Sequence, residues 1–148
     1  MAGDPYDLAR FVEAQDGVYE YALDELRRGR KTRHWMWFVL PQVAGLGYSA
    51  TSRRYAISGL DEAVAYLAHP LLGARLRECA AAVAASGASS AEQIFGGIDA
   101  IKLRSSMTLF HLAAPDEAVF TDVLDRYFGG APDAKTVELT RPRRAGPS

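Results

Sequence analysis

The stretch Arg33-His34-Trp35-Met36-Trp37-Phe38-Val39-Leu40-Pro41-Gln42 decides how this chain folds. It contains both tryptophans and the longest run of large apolar residues. Burying such a run is favourable only if its polar members find hydrogen bonds inside the protein. Aromatic residues suit a half-buried strand as well as a core helix, and periodicity does not separate the two over so few residues. Nothing nearby offers a clear pairing strand. The reading is therefore a short helix, capped by Thr32 and ended by Pro41, with a minor β element over residues 34–40 as the alternative.

Upstream, Asp4 is placed to cap a helix carrying Pro5 in its first turn. Leu8, Phe11, Val12 and Gln15 then recur at i, i+3, i+4 and i+7, one face of that helix. Gly17 interrupts it, and a second helix from Val18 buries Ala22 and Leu26 before Gly29 stops it. Downstream, Gly45 to Ala50 forms a loop, followed by a helical turn bearing Arg53, Arg54 and Tyr55. Ser58-Gly59-Leu60-Asp61 resembles a capping box and starts a helix to His69; Pro70 opens another that closes at Ser86-Gly87. Ser89-Ser90-Ala91-Glu92 begins a short helix ending at Gly96-Gly97, and Asp99 caps the next, which runs to Ala113. Pro115-Asp116-Glu117 starts the last long helix, with a final turn near residues 134–139. The expected fold is all-α: a compact single-domain bundle of about seven short helices over residues 1–140, with residues 141–148 a disordered basic tail.

Composition bounds the function. The chain has 148 residues, 49% apolar and 24% charged, as ordinary soluble globules do. A net charge of -1 argues against general nucleic-acid binding, which draws on a basic excess. Cys79 is the single cysteine, so neither an internal disulfide nor a thiolate zinc site is available. His34, His69 and His111 share no metal-ligand spacing, so no metal and no cofactor is expected. No apolar run approaches the ~20 residues of a membrane span, and the residues after Met1 lack the pattern of a signal peptide. A cytoplasmic protein without membrane attachment is expected.

Three stretches can carry chemistry. Gly45-x-Gly47-x-x-Ala50 matches a dinucleotide fingerprint in letters only. Pro41 breaks the strand that the fingerprint needs before it, and no βαβ series follows. In Gly96-Gly97-Ile98-Asp99-Ala100-Ile101-Lys102-Leu103-Arg104-Ser105-Ser106, glycines precede a helix whose N-terminus favours an anion. Lys102 and Arg104 sit where the helix dipole disfavours cations, a conflict eased if they meet a negative group. Lys102, Ser105 and Ser106 lie close together on such a helix. In the opening stretch, His34 is the candidate for acid/base work, Trp35 or Trp37 for stacking, and Gln42 for reading a polar ring edge. Arg27, Arg28, Arg30, Lys31 and Arg33 crowd its entrance, and Arg53 and Tyr55 can join the same site. The structural alternative has both tryptophans in the core and the serines packed as small residues.

Several of these motifs together resemble a known family. They are Phe11-Val12-x-Ala14-Gln15 with Tyr19, His34-Trp35-Met36-Trp37-Phe38-x-x-Pro41-Gln42-x-x-Gly45-Leu46-Gly47, and Tyr55-Ala56-Ile57. His69-Pro70-x-Leu72-Gly73, Ile94-Phe95-Gly96 and Lys102-x-x-Ser105-Ser106-Met107-Thr108-Leu109-Phe110 continue the match. From about Tyr6 to Gly130 the chain is similar to the bacterial and fungal domain of unknown function numbered 1810, sometimes mislabelled calpastatin. The resemblance implies a small, mainly α-helical domain and brings no activity; a calpain-inhibitor role does not follow from the label. The functional expectation is therefore physical: a pocket for a phosphorylated, nucleotide-like molecule such as an ADP-ribose derivative, built from Trp35, Trp37, Gln42, Arg53, Tyr55, Lys102, Arg104, Ser105 and Ser106, with His34 as the catalytic candidate. The rival expectation is a protein-interaction module using its aromatic and basic surface.

Overall fold

The tryptophan-bearing stretch is helical, not extended. In the computed structural model, which describes residues 3–141, Met36–Val39 make one helical turn closed by the Leu40 N–H on the Met36 carbonyl. In chain order the described residues form nine helices: α1 Ala9–Gln15, α2 Tyr19–Arg28, α3 Met36–Val39, α4 Ala50–Arg54, α5 Leu60–Ala68, α6 Leu72–Ala84, α7 Ala91–Ala113, α8 Ala118–Phe128 and α9 Ala134–Thr140. The class is the all-α one expected. The number exceeds seven because α4 and α9 are helices where the sequence suggests only turns.

Three local expectations are corrected. The minor β element does not lie at residues 34–40; among the described residues the one β contact is an isolated parallel bridge between Val43 and Ile57. The Asp4 carboxylate does accept the Leu8 and Ala9 N–H groups, each at 2.8 Å, but the helix begins only at Ala9 because Asp7 sits at φ 52. Asp99 does not cap a new helix. It lies inside α7, whose break is at Gly96, with φ 79 and ψ 169, a conformation open essentially to glycine alone. Residues 142–148, read as a disordered tail, lie outside the described residues.

Helices α5 to α8 surround the apolar centre. Phe11, Tyr66, Phe110 and Phe120, all fully buried, stack in sequence with ring centroids 5.1, 5.4 and 6.0 Å apart, tying α1, α5, α7 and α8 together. Tilted and edge-on pairs of this kind contribute about 0.5–1.5 kcal/mol each beyond their burial.

A four-residue helix such as α3 has no stability of its own. It is held from outside. Gln15 Nε2 donates to the Phe38 carbonyl at 2.7 Å and to the Tyr66 hydroxyl at 3.2 Å, while Gln15 Oε1 accepts from Arg75. The segment before it is organised by Glu25 of α2, buried to 4% exposure. Its carboxylate accepts the Thr32 N–H, the Arg33 N–H and guanidinium, and the Trp35 indole N–H. The segment after it is organised by Arg10 of α1. Its guanidinium reaches the carbonyls of Tyr6, Asp7, Arg54 and Ala56 and the Glu62 carboxylate, at 2.5–2.9 Å. Thus one buried acid and one buried base fix the two flanks of the tryptophan stretch.

Candidate functional site

After α3 the chain turns at Pro41, pairs briefly with the segment after α4, and leaves a small cavity between them. The pairing consists of two bonds: the Ile57 N–H to the Gln42 carbonyl and the Ala44 N–H to the Ile57 carbonyl, both 2.8 Å. The cavity holds about 120 Å³. Trp37, Gln42, the 43–47 loop, Ser52, Arg53, Tyr55 and Ala56 line it. Tyr55 is held by its ring contacts with Phe11 and Phe38, at 5.8 and 5.4 Å between centroids. Ser49 caps α4 by accepting the Ser52 N–H at 3.1 Å, and Ser52 Oγ donates to the Ser49 carbonyl at 2.8 Å.

Close approach of the loop to α4 depends on Gly47. A Cβ built there would stand 2.7 Å from both Cβ and Oγ of Ser52 and 3.4 Å from the far edge of the Trp37 ring. Gly47→Ala is expected to push α4 away from the loop and to cost about 1–3 kcal/mol, the usual range for an over-packed site. Thermal unfolding measures the loss, and a shift of Trp37 emission reports the altered cavity.

Gln42 is the chemically notable wall residue. It is 94% buried, counting from a 6% exposure, and its Nε2 has no hydrogen-bond partner among the described residues. An unpaired buried amide donor costs roughly 1–3 kcal/mol, so native proteins seldom keep one without a use. Among the lining residues there is no Asp or Glu, and Arg53 stands exposed at the edge.

Beside the cavity lies a cluster that links the two distant stretches. Lys102 Nζ sits 4.1 Å from the Trp37 ring centroid, and Lys31 Nζ 5.1 Å from that of Trp35. Both ammonium groups meet the carboxylate of Asp99, Lys31 at 2.7 Å and Lys102 at 3.0 Å. Burial pushes the Asp99 carboxyl upward, but the hydrogen bonds from Lys31 and Lys102 outweigh it and hold the pKa below the ordinary value. The Lys31 N–H adds a 2.7 Å bond to the Ile94 carbonyl at the start of α7. The cation on α7 thus meets its anion within the protein: Asp99, three residues earlier, answers the charge conflict that the sequence raises.

The residues singled out in the sequence divide clearly. Trp37, Gln42, Arg53 and Tyr55 line the cavity, and Lys102 lies against its Trp37 wall. Trp35 is fully buried and donates its indole N–H to Glu25 at 3.0 Å. His34 is exposed and outside the cavity. Arg104 points elsewhere, donating to the Ala131 carbonyl at 3.0 Å beside the Phe128 ring. Ser105 is buried and bonds back to the Ile101 carbonyl at 3.2 Å; Ser106 is buried with its hydroxyl unpartnered among the described residues. Of the basic entrance, Arg27, Arg28, Lys31 and Arg33 each pair with a carboxylate. Sequence reasoning missed the roles of Glu25, Asp99 and Arg10. Acidic and basic residues on helices read as solvated faces, and only the positions of Arg10 and Glu25 among apolar neighbours hinted otherwise.

Among the described residues no group of three or more His, Cys, Asp or Glu is placed to hold a metal ion. No helix there is long and apolar enough to cross a membrane.

The fold defines the chain as a mainly α-helical protein with a small aromatic cavity at the loop after its tryptophan turn. The family model described as "Protein of unknown function (DUF1810)" matches residues 5–140, and the chain belongs to that family. Its structure is similar to the crystal structure of the conserved hypothetical protein Rv1873 from Mycobacterium tuberculosis, with a TM-score of 0.91 and 52% identity over 93% of this chain and 98% of the other. Among curated proteins none matches.

Proposed function

We propose that this is a cytoplasmic binding domain for a phosphorylated, nucleotide-like small molecule, whose ring enters the Trp37–Tyr55 cavity. The observation that carries the reading is Gln42: a buried amide donor that, among the described residues, has no partner and stands on the wall of a cavity free of carboxylates. A ring nitrogen or carbonyl would supply the missing acceptor. At about 120 Å³ the cavity is far smaller than the roughly 300–1,000 Å³ of sites that enclose a whole drug-sized ligand. It suits one ring system, with the ribose and phosphate outside, where exposed Arg53 supplies a fork for phosphate oxygens. No side chain lining the cavity is an obvious acid or base, and His34 is outside it, so binding rather than turnover is the reading the geometry favours.

Titration with adenosine monophosphate at low salt, followed by Trp37 emission and calorimetry, tests it. Binding is expected in the wild type, weakened about tenfold or more in Gln42→Leu and several-fold in Arg53→Ala. The expected stability change runs the other way: Gln42→Leu removes an unpaired buried donor and should gain about 1 kcal/mol in urea unfolding. A Gln42→Leu protein that is less stable, in a wild type that binds no nucleotide, would sink the reading.

A second reading, docking of a protein partner, draws on Tyr48, Ile98 and Ile101, which are 84%, 75% and 66% exposed. Exposed aromatic and aliphatic side chains are common anchors at interfaces. It predicts that Tyr48→Ser and Ile101→Ser abolish partner capture while nucleotide titrations stay flat in every variant.

A further inference from the structure

The charges around the cavity restrict what kind of ring it accepts. Lys102 Nζ lies 4.1 Å from the Trp37 centroid, yet Lys102 is not among the residues lining the cavity. The ammonium therefore sits over the Trp37 ring without itself forming part of the cavity wall. An aromatic face attracts a cation through its quadrupole, and a cation already seated there withdraws much of that attraction from a second one. The surroundings add to the effect. Lys31 and Lys102 share the single carboxylate of Asp99, leaving the cluster with one net positive charge, and Arg53 adds another at the cavity edge. Among the described residues no Asp or Glu lines the cavity to offset them.

We propose that the ring bound against Trp37 is uncharged, as in a purine or a reduced dihydropyridine, and that a cationic pyridinium ring is rejected. This inference rests on the binding reading given above and adds the charge state of the ligand to it. The half-buried Trp37 indole, charged on one side by Lys102, acts as a selector: it stacks neutral rings and repels positive ones, while the phosphate that accompanies either ring meets Arg53.

The two redox forms of nicotinamide mononucleotide separate these cases, since they share ribose, phosphate and carboxamide and differ in ring charge. Calorimetric titration of each at low salt, with adenosine monophosphate as a second uncharged-ring probe, is the experiment. The reduced form and adenosine monophosphate are expected to bind, and the oxidised form to bind about tenfold more weakly or worse. Lys102→Met should narrow that gap to within about threefold by improving the oxidised form, whereas Lys102→Arg, which keeps the charge, should preserve it. Asp99 retains Lys31 as a partner in both variants, so the cluster is not left with an unpaired buried carboxylate. Equal affinity for the two redox forms would overturn the charge selection while leaving nucleotide binding intact. Absence of binding by all three probes would overturn both.

Discussion

Arg10→Ala should cost about 3–5 kcal/mol of folding stability, the range for removing one partner of a buried ion pair. The reason is the number of groups that a single side chain satisfies. A guanidinium has five N–H donors in a fixed plane, and all five are used: Nε on the Arg54 carbonyl, one terminal nitrogen on Tyr6 and Asp7, the other on Ala56 and Glu62. Removing it takes the side-chain donor from the carbonyls of Tyr6, Arg54 and Ala56, while Asp7 keeps the residue-10 N–H, and leaves Glu62, 2% exposed, with its charge uncompensated. The remaining Glu62 contact, the Ser58 N–H at 2.9 Å, does not neutralise it. Arg10→Lys should recover less than half of the loss, because a compact ammonium with three donors cannot span partners arranged for a planar fork. By contrast Arg27, paired with Glu78 at 3.5 Å across largely exposed side chains, should matter by less than about 1 kcal/mol. Urea unfolding of the three variants checks the ranking, and Arg27→Ala costing as much as Arg10→Ala would refute it. Since Arg54 and Ala56 flank Tyr55, Arg10→Ala should also loosen one wall of the cavity, seen as a shift of tryptophan emission at temperatures where the variant remains folded.

How much of this was readable beforehand depends on which physics each element obeys. The helical class followed from the apolar spacing of α1, where Leu8, Phe11 and Gln15 are buried, and from the caps, prolines and glycines that punctuate the later helices. The helix at Met36–Val39 is too short to show a period, and only the lack of a pairing strand pointed to it; its actual supports, Gln15 and Glu25, come from other helices. Asp7 at positive φ had no sequence signal, so the start of α1 came out four residues early. At the site, Gln42, Trp37, Arg53 and Tyr55 were legible because a loop after a proline brings neighbours together locally. Lys102 is legible through its conflict with the helix dipole, but its anion is Asp99, three residues away, rather than a foreign group. Spacing sets Arg104, two residues from Lys102, on a different face, whereas Ser105, three residues on, shares the face of Lys102 and is told apart only by packing, its hydroxyl bonding back to the Ile101 carbonyl. Trp35 and Trp37 illustrate the same limit. They point different ways, one to Glu25 and the core, the other to the cavity, and only the position of α2 tells which.

The acid limb of stability should be governed largely by Glu25. Burial by itself would raise this carboxyl; the N–H groups of Thr32, Trp35 and Arg33 and the Arg33 guanidinium outweigh that and bring it from the ordinary 4.5 to about 2. A group that holds its proton less tightly when folded stabilises the fold at pH values above its unfolded pKa. The contribution is therefore fully present above about 4.5, declines as pH falls, and is gone below about 2. The size of the shift corresponds to roughly 3 kcal/mol. Glu25→Gln retains an acceptor oxygen for part of the set but has no proton to gain, so its unfolding free energy should lie lower at pH 7 and be much flatter between pH 4.5 and 2. Trp35→Phe removes one donor while keeping an aromatic core residue. The folded pKa of Glu25 should then rise toward 4.5, so the acid loss of stability, which still begins near 4.5, should be smaller and level off at a higher pH than in the wild type. Urea unfolding across this pH range, with emission of the remaining tryptophan as the probe, distinguishes the two. An acid limb unchanged in both variants would mean that the bonds around Glu25 position the tryptophan turn without contributing net stability, and that another carboxylate, such as Asp99 between its two lysines, sets the acid sensitivity instead.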